Sequence, residues 1–216
     1  MSAPYRQYRK LDHILIECGK ALDTVFSHTS EGQRPSPAIG MRPGQLSKTE
    51  KKQSSGLMRV NHTGEVCAQA LYRGQALTAK SAETRAHLLA AAEEENDHLL
   101  WCQHRLNELE ARTSLLNLLW YIGSFKLGVV TGMLGDPLSL GFVVETENQV
   151  MAHLESHLRK LPANDHQSRV ILETMSIEEE EHANHAKARG SRTLPFPIRL
   201  MMRVKSKLMT KSAYYI

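Results

Sequence analysis

The chain has 216 residues, 41% of them hydrophobic and 23% charged, which suits one sizeable domain with a true core and excludes a disordered chain. Aromatics at 6%, with only 13 glycines and 8 prolines, weigh toward helices over a turn-rich β sandwich. The formal charge of +4 is unevenly placed: eight Lys/Arg and no acid lie from His182 onward, so the first 181 residues carry a net −4 and the basic surface belongs to the tail.

The amino-terminal segment has no uninterrupted apolar run and carries Asp12 and Glu17, which argues against a secretory signal and an acid-poor transit peptide; the mature chain is expected to start here. Cys18, Cys67 and Cys102 are odd in number and widely spaced, which excludes a disulfide framework or CxxC metal site and fits a reducing compartment. Leu11, Ile14, Leu15, Cys18, Leu22 and Val25 recur at helical spacing, predicting an amphipathic helix over 10–27. The Pro/Gly/Ser-rich stretch Thr29–Ser55 then reads as a linker or a loop draped over the domain. We therefore expect an amino-terminal helix and linker over 1–56 and the main domain over 57–216, with long helices over Leu57–Lys80, Glu83–Arg112, Leu138–Leu161 and Ser168–Arg189.

Between the second and third of these lies the apolar stretch Thr113–Pro137, whose longest uncharged run, Thr113 to Phe125, has thirteen residues. A spanning helix wants about twenty. A buried crossover, or an element dipping into one leaflet, is expected instead, and Gly135-Asp136-Pro137 marks a break.

Two segments share one pattern, Glu95-x-x-His98 and Glu179-x-x-His182. Residues three apart lie on one helix face about 5–6 Å apart, so carboxylate and imidazole can converge on one ion. A single such pair is weak, because many surface helices carry one. The stripes strengthen it: Leu88, Ala91, Ala92, Leu99 and Cys102 flank Glu95, while Leu172, Met175, Ala183 and Ala186 flank Glu179. A carboxylate among aliphatics costs several kcal/mol unless paired or bound to metal, so a solvated face suits Glu93, Glu180 and Glu181 better. Glu147 is the clearest further buried acid, with Leu140, Val143, Val144, Val150, Met151 and Leu154 around it. Glu65 is the fourth, on a less apolar stripe of Met58, Ala68, Tyr72 and Ala76 that also holds Asn61 and Gln69.

Spacing joins the four. Glu65 and Glu95 are thirty residues apart with a turn at Lys80-Ser81-Ala82 midway, and Glu147 and Glu179 are thirty-two apart around Leu161-Pro162-Ala163-Asn164. In an antiparallel hairpin, equal distance from the turn means equal height. The result is an all-α, ferritin-like antiparallel four-helix bundle with one long apolar crossover and additional terminal helices, its core lined by four carboxylates and two histidines. That arrangement favours iron or manganese over a four-coordinate zinc cage.

The segments RVNHTGEVCAQALYRGQ, EEENDHLLWC, VVETENQVMAHL and EEEEHANHA resemble the demethoxyubiquinone hydroxylases of ubiquinone biosynthesis over roughly Leu57 to the carboxyl terminus. The resemblance implies a monooxygenase with two iron ions per chain that uses O2 to hydroxylate the ring of a polyprenylated demethoxyquinone at the membrane. It implies Glu65, Glu95, His98, Glu147, Glu179 and His182 as ligands.

Glu147 or Glu65 is expected to bridge the irons, and both are carried as catalytic residues with His153. His153, six residues past Glu147, is either a hydrogen-bond donor behind the ligands or toward the substrate, or an interhelical histidine satisfied by a partner. His62 has the same ambiguity, and His185 reads as a surface or supporting residue. Without a Rossmann or flavin fingerprint, the reductant is a separate redox protein or NADH acting directly.

The tail combines Ile198, Leu200, Met201, Val204 and Leu208 with Arg199, Arg203, Lys205, Lys207 and Lys211, as an interfacial membrane anchor does. The expected location is peripheral, on the cytoplasmic face of the cell membrane. Nucleic acid is not expected. Gly128-x-x-x-Gly132 reads as close helix packing more than a membrane dimer motif, and a homo-oligomer or quinone-biosynthesis partners remain open. Two rival readings stand beside the hydroxylase: a ferritin-like iron-oxidising or peroxide-reducing protein, and a non-catalytic membrane-surface helical scaffold. Iron content separates the scaffold from the enzymes, and product analysis separates the enzymes from each other.

Overall fold

The computed structural model describes residues 10–26 and 32–216, all of whose regular elements are helices. They are α1 (Lys10–Phe26), α2 (Lys48–Thr78), α3 (Ala82–Glu108), α4 (Asn117–Met133), α5 (Asp136–Lys160), α6 (His166–Ala188) and α7 (Phe196–Tyr215). The hairpins α2–α3 and α5–α6 form the four-helix core, and their turns fall where the midpoint argument places them. Ser81 caps α3 by accepting from the Thr84 amide at 3.0 Å, and Asp165 caps α6 by accepting from the Ser168 amide at 3.1 Å.

One boundary differs from expectation. The second helix begins at Lys48, so the divide expected at 56/57 falls inside α2. The cause is a capping box, in which the Glu50 amide donates to Ser47 Oγ at 3.3 Å and the Ser47 amide donates to Glu50 Oε2 at 2.8 Å. The remainder of the polar stretch, residues 32–46, is draped over the domain, with Ala38 buried in the core beside Trp101 and Ile171. In α1, Leu22 is exposed although its stripe is apolar, while Thr24 is buried and donates to Gln69 Oε1 at 2.9 Å. The side chains of Leu11, Ile14, Leu15 and Cys18 lie outside the described residues.

The crossover holds a full helix, α4, lying along α2. Gly128 and Gly132 make the contact: a Cβ at Gly128 would meet the Leu71 carbonyl, and one at Gly132 the Thr78 hydroxyl. That is the close packing expected of the motif. Gly128→Leu is expected to push α4 off α2 at a cost of about 1–3 kcal/mol. Gly123→Ala, where the added methyl meets nothing within 4 Å, is expected to be neutral or slightly stabilising; thermal melts of both variants check the contrast. Gly135, at φ 104°, breaks the chain before α5. The adjacent Asp136 carboxylate then accepts from the Lys80 and Ser81 amides at 2.8 and 2.9 Å, tying the start of α5 to the α2–α3 turn.

The core lies in two layers, one around Met58, Cys102, Leu154 and Leu172, the other around Tyr72, Leu88, Leu140 and Ala186. These eight residues stand seven positions before or after Glu65, Glu95, Glu147 and Glu179 on α2, α3, α5 and α6. Each acid is therefore held mid-helix between two apolar layers.

Candidate metal centre

All six expected residues converge. Glu65, Glu95, His98, Glu147, Glu179 and His182 are buried, and their donor atoms form two groups, each within 4.8 Å: Glu65, Glu95, His98 and Glu179; and Glu95, Glu147, Glu179 and His182. Glu95 and Glu179 belong to both groups. The acids common to both groups are thus the glutamates of the two Glu-x-x-His pairs, whereas Glu65 and Glu147, the expected bridges, each belong to one group. Glu95 of α3 and Glu179 of α6 thus lie in the middle of the cluster, and Glu65 of α2 and Glu147 of α5 at its flanks.

The contacts inside the cluster point at a common space more than at one another. His98 Nδ1 lies 3.0 Å from Glu95 Oε2 and 3.3 Å from Glu179 Oε1. His182 Nδ1 lies 3.2 Å from Glu95 Oε1 and 3.3 Å from Glu179 Oε2, yet none of these last three atoms is aligned in a hydrogen bond. Glu147 is fully buried and neither of its oxygens has a hydrogen-bond partner. Leaving buried charged acceptors bare is costly, and carboxylate oxygens with two imidazole nitrogens form the donor set that iron or manganese takes. The residues present therefore fit a pair of such cations.

Proton affinities follow from the crowding. Burial, then repulsion from Glu95 and Glu179, raises the Glu65 pKa well above the carboxylate range, and burial with repulsion from Glu179 does the same to Glu147. Burial pushes Glu95 up too, but His182 and His98 hold it below the ordinary value. For His98, burial opposes the charged form while Glu178, Glu179 and Glu95 outweigh it and raise the pKa. His182 is likewise raised against burial by Glu179 and Glu95.

Two flanking acids escaped sequence reasoning. Glu178 Oε2 lies 2.6 Å from His98 Nε2, and Glu94 Oε2 lies 2.7 Å from His182 Nε2. The available signal was a second glutamate immediately before each Glu-x-x-His. Glu93, Glu180 and Glu181 are exposed, as expected.

Of the other histidines, His62 is buried with Nδ1 3.3 Å from the Asn117 amide nitrogen, an α2–α4 tie, and His185 is exposed. His153 lies outside the cluster, half-buried, with Nε2 3.5 Å from Ser206 Oγ and its ring stacked 6.4 Å from that of His157. It lines an open pocket of about 170 Å³ between α2, α4, α5 and α7, with Cys67, Leu71, Trp120, Val150 and Met209 among its walls. Gly64 and Thr146, the neighbours of Glu65 and Glu147, line the same cavity, which brings it to the edge of the cluster.

Comparison with known proteins adds relatives to this geometry. The family described as "Ubiquinone biosynthesis protein COQ7" matches residues 52–213. A protein of Xanthomonas campestris pv. campestris (strain 8004) named 3-demethoxyubiquinol 3-hydroxylase is 53% identical over 211 residues, covering 98% of this chain and 97% of its own. One of the same name from Xylella fastidiosa (strain 9a5c) is also 53% identical over 211 residues, with the same coverage. Among solved structures, a dodecameric thioferritin, the bacterioferritin-related protein of Bacteroides fragilis, superposes with a TM-score of 0.54 at 18% identity. It covers 73% of this chain and 89% of its own, a likeness of ferritin-like fold.

Proposed function

Because the chain belongs to the family of the ubiquinone biosynthesis protein COQ7, we propose that it is a 3-demethoxyubiquinol 3-hydroxylase whose six converging residues hold two iron ions. The observation that carries the metal reading is the buried double group sharing Glu95 and Glu179, with bare oxygens on Glu147 at one flank. When bound, the iron pair would supply the electrons and Lewis acidity that activate O2. Hydroxylation puts one oxygen atom into a ring C–H bond and sends the other to water, so two electrons and two protons come from a separate reductant, NADH or a redox protein.

The chain's own residues do the rest. The apolar cavity beside Glu65 and Glu147 receives the quinol ring, and Leu71, Trp120 and Met209 exclude water from it. His153 reaches the ring from the cavity wall. Burial, then nearby Lys160, lowers its pKa, so the imidazole is neutral at pH 7, with one N–H to donate to a quinone oxygen and one lone pair to accept a quinol proton. Glu65, Glu95, His98, Glu147, Glu179 and His182 would hold the irons, with Glu95 and Glu179 offering donors to both groups.

The polyprenyl tail leaves between α4 and α7. Leu118, Leu119, Ile122, Val130 and Met133 of α4, with Leu200, Met201, Val204 and Leu208 of α7, are exposed large apolar side chains. Exposed Arg203, Lys205, Lys207 and Lys211 accompany them on α7. No described helix is long and apolar enough to cross a membrane. These faces suit peripheral docking to anionic lipid at the cytoplasmic face of the cell membrane, and they are also where a second copy or another quinone-biosynthesis protein would attach. Leu200→Glu with Met201→Glu is expected to release the protein from anionic vesicles without loss of iron. Activity on a short-tail soluble quinol should persist while that on a long-tail quinol in vesicles falls. Unchanged vesicle binding would shift the anchor to α4.

The proposed activity is tested by incubating iron-loaded protein with a 3-demethoxyubiquinol and a reductant in O2. The expected product is heavier by one oxygen and absent without iron; iron oxidation with no added oxygen in the quinol would overturn the reading.

A further inference from the structure

The two halves of the cluster are alike inside and unlike outside. Each imidazole turns Nδ1 to the acids and Nε2 to a carboxylate of the opposite helix, His98 to Glu178 at 2.6 Å and His182 to Glu94 at 2.7 Å. When a metal takes Nδ1, a carboxylate at Nε2 holds the remaining ring proton on that nitrogen and fixes the orientation of the ring. Beyond these carboxylates the likeness ends. The Glu94 side chain is 57% exposed, whereas that of Glu178 is 21% exposed and gripped at both oxygens by Arg34, Nη1 to Oε1 at 2.7 Å and Nη2 to Oε2 at 2.9 Å.

Arg34 is itself fixed. Its Nε donates to Asp97 Oδ2 at 2.8 Å, and its guanidinium lies 5.0 Å from the centre of the Trp101 ring. The Gln33 amide donates to Asp97 Oδ1 at 2.7 Å. One arginine of the draped segment thus joins α3 beside His98 to α6 beside Glu179. A bidentate, stacked guanidinium holds its partner in one orientation in a way that a free carboxylate in solvent is not held.

We propose that Arg34 is a positioning residue that, through Glu178, pre-orients His98 and makes the metal position of His98 the tighter of the two, leaving that of His182 the more exchangeable. The proposal rests on the two-metal reading and extends it: the ions are unequal because the amino-terminal segment clamps one imidazole and not the other. It assigns the segment before α2 a role at the site it overlies.

Cobalt(II), whose visible absorption reports its coordination, is the probe. Wild type is expected to bind two cobalt ions in two resolved steps. In a His182→Ala background, which leaves the His98 position, Arg34→Ala and Glu178→Gln are each expected to weaken cobalt binding about 10- to 100-fold, the usual effect of removing support behind a metal-bound histidine, and to shift the visible bands. In a His98→Ala background the same two substitutions should leave affinity unchanged, while Glu94→Gln should weaken it. Arg34→Lys, a point charge without the fork, should recover only part of the loss.

Arg105→Ala is the structural control. Arg105 is buried and bonded to Asp165, Gln167 and Ser168 away from the cluster, so its loss should lower thermal stability without changing either affinity. Equal weakening in both backgrounds, or none in the first, would overturn the proposal while sparing the two-metal reading. Failure of wild type to bind two cobalt ions would overturn both. Should the single-histidine backgrounds not fold, Arg34→Ala in the otherwise intact chain must weaken one of the two steps alone; movement of both or neither overturns the proposal.

Discussion

Glu179→Ala is expected to strip the chain of both irons and abolish hydroxylation, whereas Glu147→Ala is expected to keep one iron. The contrast follows from membership: Glu179 belongs to both four-residue groups, and Glu147 to one. Removing a shared ligand loosens two ions at once and unlinks them, while removing a flanking ligand leaves the other position with all four donors. Anaerobic ferrous loading followed by iron and protein analysis checks the difference. Equal iron content in the two variants would show that the shared carboxylate does not bridge.

Without metal, the same acids are a burden. In metal-chelated protein, Glu147→Gln is expected to be more stable than wild type at pH 8–9, because glutamine needs no proton taken up on folding whereas the buried Glu147 does. The order should reverse once iron is loaded, because a ligand is then missing. Glu65 and Glu147, with raised pKa values, keep protons in the folded state that the unfolded chain releases above about pH 4.5. His98 and His182 do the same above about pH 6.5. Folded protein therefore binds more protons than unfolded, and stability falls as pH rises through neutrality.

At the acid end the sign reverses. Burial opposes ionisation of Glu178, but His98 and Arg34 bring its pKa down to about 2, and Glu95 is also held low; their contribution is present above the carboxylate range and lost as pH falls. Metal-free wild type should thus gain stability as pH rises toward about 4.5 and lose it as pH rises above about 6.5. Melts in chelator across pH 4–9 test this, and stability that is flat or rising from pH 6 to 9 would contradict it.

The fold and the six-residue cluster were legible in the sequence because both rest on periodicity. A stripe of aliphatics seven residues either side of Glu95, Glu147 and Glu179 reports burial, and burial of an acid demands a partner. Equal spacing about Lys80-Ser81 and Pro162 then reports height. Glu65 was fainter because Asn61 and Gln69 share its face. Both are buried for bonds between helices, Asn61 Oδ1 to His157 Nδ1 at 2.8 Å and Gln69 to Thr24, which a count of apolar positions does not register.

Other features were hidden because they depend on contacts distant in sequence. That Glu95 and Glu179 belong to both groups depends on which helices face each other across the cluster, and periodicity within one helix says nothing of that. Arg34 lies in a stretch with no period at all, 63 residues from Asp97 and 144 from Glu178. The early start of α2 was readable in principle from Ser47-x-x-Glu50, but the polar residues that follow masked it.

The central claim, two irons joined through shared carboxylates, is tested most directly by Mössbauer and electron paramagnetic resonance spectra of ⁵⁷Fe-loaded chain after exposure to O2. The account predicts two irons per chain and a ferric pair coupled to a diamagnetic ground state, silent in electron paramagnetic resonance. One iron per chain, or two irons giving the paramagnetic signal of isolated ferric ions, would contradict it.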